Sequence, residues 1–427
     1  MKSNGKHAET RDPSKKVFSE RESLLTELKK DKHFQYVFNS CPGIFCFSML
    51  YSAFNDYERD GWAYFGSRLV LAAFARFHVA LFIWMGMFLS CLGVYFVFVC
   101  WASLRKQTQH KKLIDGIFAS LYLLYAIGLQ CCVIKMNFTY GLGGASSIAL
   151  TMEMIRILMK SYSFIRTTVP THLGAGGKGT DLSFARYLYF LFAPTLLYRD
   201  VYPRSKRIRW GFIVTCLVEM VMIILFASIL LENTYIHHFR DYGLKKFTFS
   251  RICAISLQYF VVGHITLILI CYFWMHNYMN ITAELLRFSD RKFYEDWWTA
   301  SSADEFLRKW NIVVYEWLHL FIYKDCYEHL APGRRELSRF VTLLLAGFYH
   351  DLVICVSFRL FLPMFTLAYV NLILIRNLKS GRIFATFSAN EVILFLTIYT
   401  IEYYARENCP SASQSVLDVL KPRFLYC

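Results

Sequence analysis

VALFIWMGMFLSCLGVYFVFVCWA, residues 79–102, contains no Lys, Arg, Asp or Glu. As a helix it is long enough to cross the roughly 30 Å hydrocarbon core of a bilayer. Lipid offers a peptide group no hydrogen-bond partner, so such a stretch must satisfy its own backbone, and a helix does so. Working outward, residues 116–134 are equally free of charge. Residues 211–231 hold one acid, Glu219, and 252–275 hold only His264. Three more apolar runs follow, 340–358, 360–375 and 383–401, separated by Arg359 and then by a basic loop with Arg376, Lys379 and Arg382. Residues 37–54 are a weaker span, broken by Pro42, Gly43 and several serines, while 143–164 and 183–198 are mixed. The pattern predicts an all-α polytopic membrane protein with about nine transmembrane helices.

Composition agrees. Of 427 residues 18% are charged, 56% hydrophobic and 18% aromatic. A soluble domain carries about 25% charged residues, and a disordered chain is poor in aromatics. Composition excludes a disordered chain and argues against an ordinary soluble enzyme. The net charge of +16 comes with no nucleic-acid-binding motif, so no nucleic acid is expected as partner. The basic residues stand beside the apolar runs instead. Nine Lys/Arg precede residue 35, and Arg105, Lys106, Lys111 and Lys112 follow the 79–102 run. Between them, residues 55–66 hold Arg59 alone among Asp56, Glu58 and Asp60. The positive-inside rule then puts the N-terminus in the cytosol and the C-terminus in the lumen. The chain divides into a cytosolic tail (1–34), a membrane body (35–408) and a luminal tail (409–427). The first tail has no signal-peptide core and ends in a short amphipathic helix with Leu24, Leu25 and Leu28 on one face.

GAGGKGT at 174–180 approaches a phosphate-binding loop. That motif needs Ser or Thr directly after the Lys, between a strand and a helix. Gly179 intervenes, and the segment reads as a flexible connector. In 149–166, Glu153, Arg156 and Lys160 share one helix face opposite Met, Ile and Leu. Two readings fit that wet face, a surface stripe of ion pairs or a wall touching substrate.

An ionisable side chain within a span is costly and marks function. His350 and Asp351 sit inside the 340–358 run. An imidazole is suited to take a proton near neutral pH. Consecutive helix residues face different ways, so Asp351 is free to pair elsewhere. A second constellation is FYEDWWTASSADEFLRKWNIVVYEWLHLFIYKD, residues 293–325, with four of the nine tryptophans. Its Trp297–Trp298 pair behind Glu295 and Asp296 is too polar for a plain interfacial anchor, and Asn311 opens an apolar stretch where an amide needs partners.

FYEDWW (293–298), with a His inside a late membrane run, resembles the membrane-bound O-acyltransferase superfamily. YLYFLFAPTLLYRDVYPR (187–204), IRILMKSYSF (155–164), ERESLLTEL (20–28) and the ending EYYARENCP…KPRFLYC resemble its sterol O-acyltransferase branch. The resemblance runs from about residue 20 to the end. It implies the fold of that superfamily and transfer of a long-chain fatty acyl group from acyl-CoA to the 3-hydroxyl of a sterol, in the endoplasmic reticulum membrane. By position, His350 matches the catalytic His and general base, and Asn311 the required Asn. Trp310 and the block Phe293, Tyr294, Asp296, Trp297 and Trp298 match the active-site loop. Arg308 and Tyr323 match acyl-CoA contacts, and Arg335 matches a basic residue suited to phosphate. The resemblance further implies a dimer or tetramer, and a disulfide between Cys409 and Cys427, both in a polar tail placed in the lumen.

The chain departs from the pattern at Thr299 for Asn, Asp351 for Glu, Tyr315 for His and Ala346 for Ser. A thioester is already activated, so direct transfer needs no covalent enzyme intermediate. No metal and no cofactor are expected, acyl-CoA being a co-substrate. Two other readings remain open at this level. One is esterification of diacylglycerol or a fatty alcohol. The other is a transporter built on Glu219, Asp351 and Glu391, although the sequence shows no internal repeat of the transporter kind.

Overall fold

The computed structural model describes residues 16–173, 182–374, 381–409 and 420–427, and the side chains of all these except 381–393. The connector at 174–180 and the basic loop around Arg376 and Lys379 lie outside the described residues, as does the Glu391 side chain. Six helices among the described residues are long and apolar enough to cross a membrane. They are Lys32–Asp60, Phe77–Gln107, Lys111–Tyr140, Trp210–Phe239, Phe260–Leu285 and Arg335–Phe358. Gly144–Leu173 and Gly381–Asn408 are of similar length, while Met364–Leu374 is short. No strand is assigned among these residues. The protein is thus an all-α polytopic membrane protein.

The weak first span forms a full helix. Asp31 caps its start, accepting from the amides of His33 and Phe34 at 2.9 and 3.1 Å, and Gly61 ends it with φ +70°. The apolar run at 183–198 behaves differently from expectation. Only Phe184–Phe192 is helical, and at 1.5 Å per residue it covers less than half a bilayer. Lys160 explains the stop. Its ammonium is buried and donates to the carbonyls of Phe190 and Ala193, both at 2.6 Å. Arg156 donates to Leu191 O at 2.5 Å. Two cations thus satisfy the open C-terminal carbonyls of that helix. Glu153 in turn holds Arg156 at 2.6 Å and accepts from Trp84 Nε1 at 2.9 Å. The face with Glu153, Arg156 and Lys160 is therefore no surface stripe: it braces a helix end and borders a cavity. The run at 252–275 also differs. The chain breaks at Tyr259, and the long helix is Phe260–Leu285, with a π-turn over Tyr272–Tyr278.

The core lies where Phe77–Gln107, Gly144–Leu173 and Phe184–Phe192 meet. Phe164, Tyr187 and Phe190 are wholly buried there, and the Phe164 and Tyr187 rings lie 4.5 Å apart. The N-terminal segment joins this body well before residue 35. Leu24 and Leu25 pack on the core, and Phe18 sits 5.2 Å from the Tyr202 ring.

At the other terminus, Cys409 and Cys427, 18 positions apart in sequence, form a disulfide with Cα atoms 6.0 Å apart. Glu402 accepts from the amides of Arg423 and Phe424, both at 2.9 Å, and Tyr242 reaches Phe424 O at 3.0 Å. Gly243, with φ +88°, lies against both sulfurs, so a Cβ there would collide with them. Closing a loop of this size stabilises the folded tail by about 3 kcal/mol in the chain-entropy model. In detergent-opened, unreduced membranes Cys427 should resist alkylation and become reactive only after reduction. Ready alkylation without reductant contradicts the bond.

Candidate active site

The expected site residues come from two parts of the chain. The first is the FYEDWW block and the short helix after it. Phe293 O accepts from Ile312 N at 3.0 Å, and Glu295 N donates to Lys309 O at 2.9 Å, so the block lies alongside residues 309–312. Phe293 and Tyr294 are buried. The Tyr294 hydroxyl is 2.8 Å from His276 Nδ1. Trp297 packs edge-on against Trp310 at 4.8 Å and against Phe306 at 6.1 Å. Asp296 pairs with Lys309 at 3.0 Å and accepts from the Thr299 hydroxyl at 2.7 Å. Burial pushes the Asp296 carboxyl up, but the bonds from Thr299 and Lys309 outweigh it and hold the group below its ordinary value. Glu305 is lowered further, to about 2, first by Lys309 and then by the Ser301 amide. Both carboxylates thus remain charged through the neutral range and keep Lys309 in place.

This packing sets Asn311. Helix Ala303–Trp310 ends there and helix Ile312–Leu318 begins, with Asn311 at φ −136°, ψ 87° between them. Its Oδ1 accepts from Val314 N at 3.1 Å, a helix cap that Asn favours. The N–H it faces fixes the amide's orientation, so the Nδ2 donors point away from the cap. Beyond Asn311, Tyr315, His319, Tyr323 and Tyr327 stack at i,i+4 spacing, with ring centroids 5.9, 5.1 and 6.1 Å apart. The helix loosens to π-turns at His319–Tyr323 and Cys326–Leu330, a feature frequent at functional sites.

The second part is the Arg335–Phe358 helix. His350 Nδ1 lies 2.7 Å from Ala346 O, one turn back. A carbonyl only accepts, so Nδ1 carries the proton and the neutral ring keeps its lone pair on Nε2. Phe365 and Tyr369 flank the ring, each at 5.5 Å. Asp351 faces elsewhere. Its two oxygens accept from Phe365 N and Thr366 N, both at 2.8 Å, at the start of the Met364–Leu374 helix that carries those two rings. Gly347 permits the approach, since a Cβ there would lie 2.7 Å from Thr366 Cα.

Both parts line one cavity of about 3280 Å³. His350, Asn311, Trp310, Arg308, Tyr323 and Arg335 all border it. The departures Tyr315 and Ala346 do too. Phe293, Tyr294, Asp296, Trp297 and Trp298 do not line it. Glu295 of the same block does border it, while Trp297 packs on Trp310 and Phe293 O holds Ile312 N, so the block fixes the position of residues 310–312. Arg308 and Arg335 are exposed and in no ion pair among the described residues. His350 is likewise exposed although it lies mid-helix, its free surface facing the cavity. His264 makes the same backward bond, to Phe260 O at 3.0 Å, but borders no part of this cavity. The cavity exceeds the 300–1,000 Å³ of an ordinary ligand pocket and has room for two substrates at once. Sequence reasoning missed His319 and Tyr327 of the stacked ladder, although their four-residue spacing was visible.

The transporter reading loses its support here. Glu219 is held by Lys29 at 3.2 Å and by the Tyr272 hydroxyl at 2.7 Å, and Asp351 is spent as a cap.

The chain is similar to known proteins over most of its length. The membrane-bound O-acyltransferase family matches residues 70–402. Sterol O-acyltransferase 2 of Mus musculus is 30% identical, the match covering 100% of this chain and 83% of that protein. Sterol O-acyltransferase 2 of Rattus norvegicus is 31% identical over 97% of this chain and 81% of its own length. Sterol O-acyltransferase 1 of Rattus norvegicus is 28% identical over 100% and 82%. A helical membrane body, a family match over residues 70–402 and relatives 30% or more identical over nearly the whole chain give one conclusion: the chain belongs to the membrane-bound O-acyltransferase family, in its sterol O-acyltransferase branch.

Proposed function

We propose that this acyltransferase moves a long-chain fatty acyl group from acyl-CoA to the 3-hydroxyl of a sterol, forming a steryl ester. The observation that carries the reading is the His350 tautomer, with Nδ1–H spent on Ala346 O and Nε2 left to the cavity that Asn311 shares. Nε2 removes the hydroxyl proton as the sterol oxygen attacks the thioester carbonyl carbon. The Asn311 Nδ2 group donates to the oxyanion of the tetrahedral intermediate. The intermediate collapses with cleavage of the C–S bond, and the imidazolium returns its proton to the thiolate, releasing free CoA. The sterol comes from the bilayer, and Arg308 and Arg335 receive the phosphates of the donor. The stacked rings from Tyr315 to Tyr327 supply a flat apolar wall beside that route.

The loop charges support a cytosolic N-terminus and a luminal C-terminus, and the likeness to sterol O-acyltransferases supports the endoplasmic reticulum membrane, with Arg308 and Arg335 meeting a cytosolic donor. Microsomes holding the protein, given radiolabelled long-chain acyl-CoA, should label steryl ester when sterol is added. Label passing to diacylglycerol or a fatty alcohol with equal efficiency contradicts the acceptor, and no label in any lipid contradicts the donor.

A further inference from the structure

The N-terminal segment forms part of the cavity wall, and nothing above gives that part of the wall a task. We propose that Lys16 is a donor-binding cation that exchanges Glu316 for a phosphate of the acyl donor, so that the segment closes the polyanion end of the cavity. This rests on the reading of the donor as acyl-CoA.

The segment is built into the body along its length. Arg21 grips Asp290 with two bonds of 2.5 and 2.9 Å, its amide donates to Ser289 O, and its carbonyl accepts from Arg291 N. Glu22 holds Arg209 at 2.8 and 3.1 Å. Ser23, wholly buried, accepts from Asn280 Nδ2 at 3.0 Å. Lys29 closes the series on Glu219. Among the described residues of the segment, Lys16, Val17 and Arg21 border the cavity.

These two cations differ in how they are held. Arg21 is locked to a carboxylate that is 1% exposed. The Lys16 ammonium makes one bond of 2.5 Å to Glu316 Oε2, and Glu316 also borders the cavity. Glu316 stands on the helix that Asn311 caps, so Lys16 is tied to the element carrying the reaction's amide donor. Nearby, the charges of Lys292 and Lys309 are met by Glu295, Asp296 and Glu305. Among the cavity-lining cations, Arg308 and Arg335 make no ion pair among the described residues, and Lys16 is held by one carboxylate and by the Phe18 ring at 4.9 Å. A lysine suits exchange, being a compact charge on a flexible stem, and phosphate oxygens offer charge-assisted bonds in return. Burial already pushes the Glu316 carboxyl up against the pull of Lys16. Once Lys16 leaves, the carboxylate takes a proton from water and does not repel the phosphate.

The test uses purified full-length protein and two donors with the same acyl chain, oleoyl-CoA and S-oleoyl-pantetheine, the second lacking the nucleotide phosphates. Lys16→Ala should raise KM for oleoyl-CoA roughly tenfold, leave kcat within about twofold, and leave KM for the pantetheine donor unchanged. Lys16→Arg should stay close to wild type. A Lys16→Ala change that is equal for both donors, or absent for both, overturns the proposal. Failure of the acyl-CoA reading shows in the wild type itself, as equal KM values for the two donors, and it takes the Lys16 proposal with it. Failure of the Lys16 role alone shows only in the variant.

Discussion

Replacing His350 with alanine is expected to lower ester formation by about 10²–10⁴-fold, the range for a removed acid–base group. Expression and membrane insertion should be unchanged. The ring is exposed to the cavity and its one hydrogen bond runs to a carbonyl of its own helix. Truncation therefore leaves no distant partner unpaired. The flanking rings, Phe365 and Tyr369, are held by the Asp351 cap and not by the imidazole, so the helix pair should keep its packing. The measurement is turnover with saturating donor and sterol, beside a quantified amount of protein. A variant retaining more than a few per cent of wild-type turnover shows that another group takes the proton.

Asn311 is expected to give the second largest effect, a loss of about 10²–10³-fold in turnover on removing its donors. Apparent KM for the donor should change little, because an oxyanion contact acts mainly in the transition state. Alanine alone mixes two losses, since the Oδ1 cap on Val314 N also disappears, at a cost of ~1 kcal/mol in stability. Asn311→Asp separates them. Aspartate keeps a capping oxygen and lacks the Nδ2 donors, so it should fold as well as wild type and turn over as poorly as Asn311→Ala. Unchanged turnover with a raised KM in the aspartate variant makes Asn311 a binding residue.

Much of this was legible in the chain because the lipid imposes a strict rule. A run such as 79–102 has no alternative to a helix, and an imidazole at 350 stands out against apolar neighbours. What stayed hidden depends on distant groups. Nothing local in 183–198 shows that Lys160 and Arg156 terminate the helix at Phe192. The break at Tyr259 likewise leaves the hydropathy of 252–275 untouched. In the candidate site, residue types and their cavity neighbours were readable, but their duties were divided differently. The aromatic block at 293–298 reads as chemistry, and the backbone bonds by which it braces residues 309–312 are invisible in its composition. Helix geometry leaves Asp351 free to pair away from His350, but not with whom; its partners, the amides of Phe365 and Thr366, lie on another helix. The ladder from Tyr315 to Tyr327 was spelled out at four-residue intervals. It went unread because its meaning lies in the cavity wall it forms.

The anchoring of the N-terminal segment also has a consequence for biogenesis. Arg21 and Lys16 bond to residues 269 and 300 positions further along the chain. A ribosome releases the segment first, yet Asp290 and Glu316 do not exist until most of the body has been made. The early helices must enter the membrane with Lys16, Arg21, Glu22 and Lys29 still facing water and their partners absent. Contacts of such sequence separation form slowly, so a piece made early is seated late. The reaction chamber is thereby left with an open side throughout synthesis, and a nascent enzyme has no complete wall with which to hold a substrate until its chain is nearly finished.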